Sequence, residues 1–249
     1  MTGIPGETTD DTLLDGRVRL TQPRTGYRVA IDPLFLAAAV PAAAGDLVLD
    51  VGMGVGAAAL CLAARVPGCR VVGLEVQREI AQIASRNIDA NGVADRVSVV
   101  IGDLARPPPR LAPGSFAHVM ANPPYMDPAR ADAPPDPSKA AATVEGTADL
   151  AAWLRFMLLM VRAGGTVTLI HRADRLDAIV ALAANRLGGL TVLPLWPGAG
   201  KPAARVLVQG RRDSAAPFRL LPGIVLHPPE GGYTEAAEAI LRGGGAVAM

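Results

Sequence analysis

Residues 46–60, Asp46-Leu-Val-Leu-Asp50-Val-Gly52-Met-Gly54-Val-Gly56-Ala-Ala-Ala-Leu60, constrain this chain more than any other stretch. Leu47 to Val51 is a short apolar run, the signature of a strand buried on both faces of a parallel sheet. Three glycines follow at alternate positions, and then an alanine-rich segment suited to a helix. Glycine is required where the backbone turns tightly and a ligand must approach without a Cβ in the way. The first amides of the following helix point outward and favour a negative group. The stretch therefore predicts a strand, a glycine loop and a helix that hold a nucleotide-like cofactor.

Two cofactor classes fit that loop. Gly52-x-Gly54-x-x-Ala57 satisfies the dinucleotide fingerprint, with Glu75 about 20 residues on, where a ribose-binding acid belongs. On that pattern alone NAD is allowed, and so is a tight turn with no ligand. Asp50, two residues before the first glycine, and the third glycine, Gly56, extend the run to Asp-x-Gly-x-Gly-x-Gly. The longer pattern resembles the first motif of class I S-adenosylmethionine-dependent methyltransferases.

The 249 residues are ample for one α/β domain with a sizeable core. No apolar run approaches the ~20 residues of a membrane span. The polar, acidic first fifteen residues do not read as a signal peptide. Cys61 and Cys69 form no CxxC pair and read as reduced, structural thiols, which places the chain in the cytoplasm. His118, His171 and His227 have no ligand spacing, so no metal site is expected. A net charge of +1 gives no global pull toward nucleic acid, and any RNA contact has to come from a local patch.

Residues 1–15 read as a flexible N-terminus. From Gly16 to Ile31 there are four arginines (Arg17, Arg19, Arg24, Arg28) and no acid. Alternation over 17–21 and again over 27–31, around a turn at Gln22–Gly26, predicts a β-hairpin with an arginine-bearing face. That face is either a charged, solvated edge or an RNA-contacting arm. Asp32-Pro33 predicts a helix start, with the acid as cap. Beyond the glycine loop, strand and helix alternate. Strands are expected at Arg70–Glu75, Arg96–Ile101, Phe116–Ala121, Thr166–Ile170, Leu190–Leu195 and Arg205–Gln209, with an edge strand in 218–226. Helices are expected over 77–91, 149–161, 175–186 and 234–241. Asp50, Glu75 and Asp103 each stand at or near the carboxyl end of successive strands, where ligands bind in open α/β sheets. The Pro-, Asp- and Ala-rich segment 126–146 shows no periodic pattern and reads as a long functional loop.

The strand expected at Phe116–Ala121 runs straight into Asn122-Pro123-Pro124-Tyr125. Pro-Pro pairs recur elsewhere in the chain, so placement carries the signal. At this point the tetrapeptide resembles the fourth motif of methyltransferases that modify an amino nitrogen conjugated to a π-system, such as adenine N6, guanine N2 or a glutamine amide. Such a nitrogen is a poor nucleophile because its lone pair is delocalised. The Asn122 carbonyl and the Pro123 backbone carbonyl can accept its two N–H bonds and draw it toward tetrahedral geometry. The prolines stiffen the turn, and Tyr125 offers a flat face for a base, worth about 1–3 kcal/mol in comparable sites.

Over residues 16–241 the chain resembles the bacterial valine-tRNA (adenine-N6)-methyltransferases, which modify the adenine beside the anticodon. Gly26–Leu36, Glu145, Ile170-His-Arg172 and Lys201–Gln209 are similar to further segments of that family. The resemblance implies a doubly wound, Rossmann-like class I methyltransferase with a mostly parallel seven-stranded sheet. In this layout 16–45 form a hairpin-and-helix extension and 46–249 the S-adenosylmethionine-dependent domain. It implies that Asp50, Gly52, Gly54, Gly56, Glu75, Asp103, Leu104 and Asn122 bind S-adenosylmethionine, with Glu75 on the ribose and Asp103 and Leu104 at the adenine ring. Asn122, Pro123, Pro124 and Tyr125 are the implied catalytic set, tRNA the partner, and neither metal nor membrane is involved. A release-factor glutamine N5-methyltransferase shares the tetrapeptide, but that family carries a larger helical domain ahead of the glycine loop. A non-catalytic S-adenosylmethionine-binding module is the remaining alternative, and the intact tetrapeptide weighs against it.

Overall fold

A computed structural model describes residues 7–25, 28–124 and 148–249. Tyr125, the segment 126–146 with Glu145, and Gly26-Tyr27 lie outside the described residues. The strands are β1 Thr8–Leu13, β2 Val18–Pro23, β3 Leu47–Val51, β4 Arg70–Glu75, β5 Val97–Ile101, β6 Phe116–Ala121, β7 Val161–Arg172, β8 Leu187–Gly198, β9 Arg205–Arg212, β10 Arg219–Leu220 and β11 Ile224–His227. The helices are α1 Asp32–Ala39, α2 Ala57–Arg65, α3 Arg78–Ala90, α4 Leu150–Met160, α5 Leu176–Ala183 and α6 Glu235–Leu241.

β3 lies at the centre of the sheet, parallel to β4 on one side and to β6 on the other. Its apolar run is buried on both faces, as two flanking helix layers require. The sheet order is β5-β4-β3-β6-β7-β9-β8, all parallel except β9, which is antiparallel to both neighbours. β10 and β11 pair with β8 and bring the described sheet to nine strands, two more than expected. The expected single edge strand is divided by Pro222-Gly223, where proline removes a ladder donor. The chain leaves β3 toward β4 and β5, then returns to β6 on the other side. That reversal opens a crevice at the carboxyl ends of β3 and β6.

One apolar core lies between the sheet, α1, α2, α3 and α6. A second, on the opposite face, is closed by α4 and α5. Alanine dominates α2, so its seven buried residues seat the helix close to the sheet. Asp149 caps α4 by accepting the Ala152 amide at 2.7 Å.

The N-terminal segment differs from expectation. The hairpin is formed by β1 and β2 in antiparallel register, Leu13 facing Val18 and Thr8 facing Pro23. It therefore lies one segment earlier than the alternation indicated, and residues 8–13 are a strand rather than a flexible tail. The described residues 28–31 form no strand. β1 is polar up to its last residue, Leu13, and shows no apolar period; cross-strand polar bonds hold it, including Thr21 Oγ1 to Asp10 at 2.6 Å and Gln22 Nε2 to Asp11 at 2.8 Å. Asp32 does not cap α1 with its side chain. Its carboxylate instead accepts Arg205 Nε at 2.9 Å, tying the start of α1 to β9.

Candidate functional site

The glycine loop is fixed from below by the end of β4. The Gly52 and Met53 amides both donate to the Leu74 carbonyl, at 2.8 and 2.9 Å. All three loop glycines take positive φ, of 69°, 59° and 95° in order, which closes the turn within five residues and starts α2 at Gly56. Gly52 is the most confined. A Cβ there would stand 2.5 Å from the Trp153 ring, so α4 sits directly against the loop. Gly73 supplies a second close approach, its bare backbone making room for the Met53 side chain.

The strand-end acids meet around this loop. Glu75 is 5% exposed and spans it with both oxygens, Oε2 accepting the Gly54 amide and Oε1 the Gln77 amide, each at 2.9 Å. Burial raises its pKa, and those amides oppose the rise. Asp50 is 2% exposed, and among the described residues its Oδ2 has no hydrogen-bond partner. Burial pushes its carboxyl up to about 8; the nearby Glu75 adds to the rise and the Ala59 amide eases it. An orphaned buried carboxylate oxygen beside open space is an unfilled acceptor for a cation or a donor. Asp103 accepts the Ala105 amide at 2.8 Å, which shapes the turn that carries Leu104.

These groups line one cavity of about 280 Å³. Asp50, Gly52, Gly54, Glu75, Asp103, Leu104, Asn122, Pro123 and Pro124 all contribute to its walls, while Gly56 serves as the helix cap behind it. The structure thus brings the loop, the acids and the described part of the tetrapeptide together. Pro23, Val29, Pro33 and Leu36 form a further wall, which the sequence did not indicate. The donor set fits an elongated, partly cationic nucleoside: a buried acceptor at Asp50, a two-oxygen acceptor at Glu75, and apolar faces at Leu104 and Ile80.

His171 was also not anticipated at the site. It lies near the end of β7, two residues beyond the Leu169 partner of Ala121, and sheet register carries it alongside the proline turn. The ring is 1% exposed, and among the described residues neither nitrogen has a hydrogen-bond partner of good geometry, the Pro124 and Arg172 backbones lying nearby. Burial lowers its pKa to about 4, the Pro124 carbonyl opposing and Arg175 and Arg205 reinforcing the drop. It is therefore neutral at neutral pH. His118 serves the opposite end of the sheet, joining Thr166 at 2.7 Å and Asp46 at 3.2 Å. Among the described residues no cluster of His, Cys, Asp or Glu is arranged to hold a metal, and no helix is long and apolar enough to cross a membrane.

None of Arg17, Arg19, Arg24 and Arg28 is among the described residues that line the cavity, and Arg24 and Arg28 lie beyond the end of β2. Arg17 donates to the Leu14 and Arg242 carbonyls, at 3.0 and 2.8 Å. Arg24 pairs with Glu7, and Arg28 with Asp11 at 2.9 Å. Arg19 is exposed.

A methyltransferase-domain family model matches residues 48–133, the span from β3 through the tetrapeptide. The chain is 29% identical over 229 residues to the tRNA1(Val) (adenine(37)-N6)-methyltransferase of Porphyromonas gingivalis, a match covering 86% of this chain and 87% of that protein. It is 35% identical over 116 residues to the release factor glutamine methyltransferase of Chlorobaculum tepidum, which covers 45% of this chain and only 39% of that one. Among solved structures, a predicted O-methyltransferase from Agrobacterium tumefaciens superposes with a TM-score of 0.73 at 26% identity, over 88% of this chain and 99% of the other.

Proposed function

We propose that this chain is a class I S-adenosylmethionine-dependent methyltransferase that transfers a methyl group to the exocyclic N6 of an adenine in tRNA, the adenine beside the anticodon of a valine tRNA. The observation that carries the reading is the Asn122-Pro123-Pro124 turn opening into the same cavity as the glycine loop and its acids. The likeness to an adenine-N6 enzyme over most of both chains supports that substrate. The stronger identity to a glutamine methyltransferase falls on less than half of each chain.

S-adenosylmethionine supplies an electrophilic methyl group when bound. Asp50 would receive its ammonium, Glu75 its ribose hydroxyls, and Asp103 with Leu104 its adenine ring. Asn122 and the Pro123 carbonyl would accept hydrogen bonds from the two N–H groups of the target amine and aim its lone pair at the methyl. The new N–C bond replaces the S–C bond, S-adenosylhomocysteine is the leaving group, and the surplus amine proton passes to water. Tyr125 stacks on the flipped base and recovers part of the few kcal/mol spent in unstacking it. Because His171 is neutral beside the turn, it adds no positive charge where the amine becomes cationic.

The test is nucleoside analysis of tRNA from cells with and without the gene. Loss of one N6-methyladenosine, restored by the purified enzyme, is the expected result. Unchanged tRNA together with lost glutamine methylation of a release factor would replace this reading with the protein-modifying one.

Asp50 makes cofactor binding pH-dependent. Without ligand, the folded chain holds a proton on Asp50 between the ordinary value of 3.8 and about 8, whereas the unfolded chain does not. That contribution to stability is full below 3.8 and is lost as pH rises through 8. An ammonium favours the ionised carboxylate, so binding below pH 8 must release the proton. S-adenosylhomocysteine affinity should therefore strengthen from pH 6 to pH 8. Calorimetry in buffers of different ionisation enthalpy should register the released proton, and Asp50→Asn should abolish it. Binding without proton release would remove Asp50 from the ammonium site.

We also place the hairpin against the tRNA backbone. The Arg24–Glu7 pair is exposed and contributes little to stability, which leaves the guanidinium available to a phosphate. Replacing Arg19 and Arg24 with glutamine should lower the salt slope of tRNA binding by about one unit per lost contact. S-adenosylhomocysteine affinity should stay constant, and an unchanged salt slope would exclude the arm.

A further inference from the structure

Strand β2 has β1 along one edge and, along the other, the side chains of Asn87 in α3 and of Asn91, which caps the end of that helix. Asn87 Oδ1 accepts the Thr21 amide at 2.8 Å, and its Nδ2 donates to the Thr21 carbonyl at 2.8 Å. One turn along, Asn91 Oδ1 accepts the Arg19 amide at 2.9 Å and Nδ2 donates to the Arg19 carbonyl at 2.7 Å. A side-chain amide has the donor and acceptor of a peptide group, so each asparagine pairs with β2 as a strand residue would. The repeats match: four helical residues advance about 6 Å and two strand residues about 6.6–6.8 Å.

The two rungs differ in what else they hold. The second Asn91 hydrogen goes to the Asn87 carbonyl of its own helix, at 2.7 Å. The second Asn87 hydrogen crosses to the Val55 carbonyl in the glycine loop, at 2.9 Å. Asn87 is 1% exposed and so has no access to water as a substitute partner. Its amide therefore joins three bodies: α3, the hairpin and the loop. The hairpin side of this joint belongs to the cavity, because Pro23 ends β2 and Val29 lies in the same wall. Val29 is kept there by its amide donating to Gln22 Oε1 at 2.8 Å, while Gln22 Nε2 is held by Asp11.

We propose that Asn87 is a positioning residue for S-adenosylmethionine, locking the glycine loop to the hairpin so that both walls of the cavity keep one spacing. The residue touches no cofactor atom itself; it acts through Val55 and Thr21. The inference rests on the cofactor assignment and is independent of which acceptor is methylated. It also supplies its own control, since Asn91 holds the hairpin by the same chemistry without reaching the loop.

The experiment compares Asn87→Leu with Asn91→Leu in the full chain, reading S-adenosylhomocysteine affinity by calorimetry and melting temperature by circular dichroism. Both variants should melt earlier. Only Asn87→Leu should weaken S-adenosylhomocysteine, by about tenfold or more, as a displaced binding wall does; Asn91→Leu should stay within about twofold. Should Asn87→Leu fail to fold, Asn87→Asp decides. It keeps the shape and the acceptor for Thr21, but turns an oxygen toward the Thr21 and Val55 carbonyls, and the same loss of affinity is expected. Wild-type affinity in a folded Asn87 variant, equal losses at both positions, or failure of both Asn87 variants to fold beside a folded Asn91→Leu would each overturn the proposal. A wild-type protein that binds no S-adenosylhomocysteine would instead overturn the cofactor assignment beneath it.

Discussion

Asn122→Ala is expected to lower methyl-transfer turnover by about 10²–10³-fold, the usual loss when one positioned polar contact to a transition state is removed. Asn122 follows directly on β6, which is buried along its whole length and paired on both sides by β3 and β7. Removing the side chain therefore leaves the turn in place, with Pro123 buried behind it. In the proposed role the amide would bond the amine most strongly as the nitrogen leaves the plane of the ring, so tRNA affinity should change only a few fold. Single-turnover rates at saturating S-adenosylmethionine separate the two effects. Near-normal turnover in this variant would remove the chemical basis of the adenine assignment.

Gly52→Ala should have a comparable effect on the other substrate. Its added methyl would lie 2.5 Å from the Trp153 ring, and at φ +69° any Cβ is strained before contacts are counted. Trp153 is 8% exposed in the second core and has little room to retreat. The loop must move instead, breaking the two amide bonds to Leu74. S-adenosylhomocysteine binding should weaken by about 100-fold or vanish, since misplacement of about 1 Å suffices for such a loss. Gly54→Ala isolates the strain, because a Cβ there meets nothing within 4 Å although φ is also positive. It should cost about tenfold, the equivalent of the 1–2 kcal/mol of left-handed backbone. Equal affinities in the two variants would mean that the Trp153 contact does not set the loop.

The parts of this site that could be read from the sequence are those written locally. The run from Leu47 to Ala57, the acids at 50, 75 and 103 and the turn at 122–124 each occupy a few consecutive residues, and the β-α alternation places them at one crevice. What the sequence hid depends on partners distant in the chain. Thr8–Leu13 has no apolar period and is a strand only because β2 pairs with it. Asn87 looks like an ordinary polar position on an amphipathic helix until Thr21 and Val55 are brought beside it. His171 reaches Pro124 through the register of β6 on β7, which no spacing within the motif encodes. The Asp32–Arg205 bond joins residues 173 positions apart, and local capping rules assigned the acid elsewhere.

The asparagine ladder on β2 has a consequence for amide exchange with solvent. Outward amides of an outermost strand ordinarily exchange their hydrogens within the time of local fraying. Here the outward amides of Arg19 and Thr21 are held by helix side chains, so their deuterium uptake should follow the opening of α3 rather than that of the hairpin. Thr21, whose partner also grips the glycine loop, should slow further when the cofactor cavity fills. A hairpin amide some distance from the chemistry would then act as a clock for ligand occupancy.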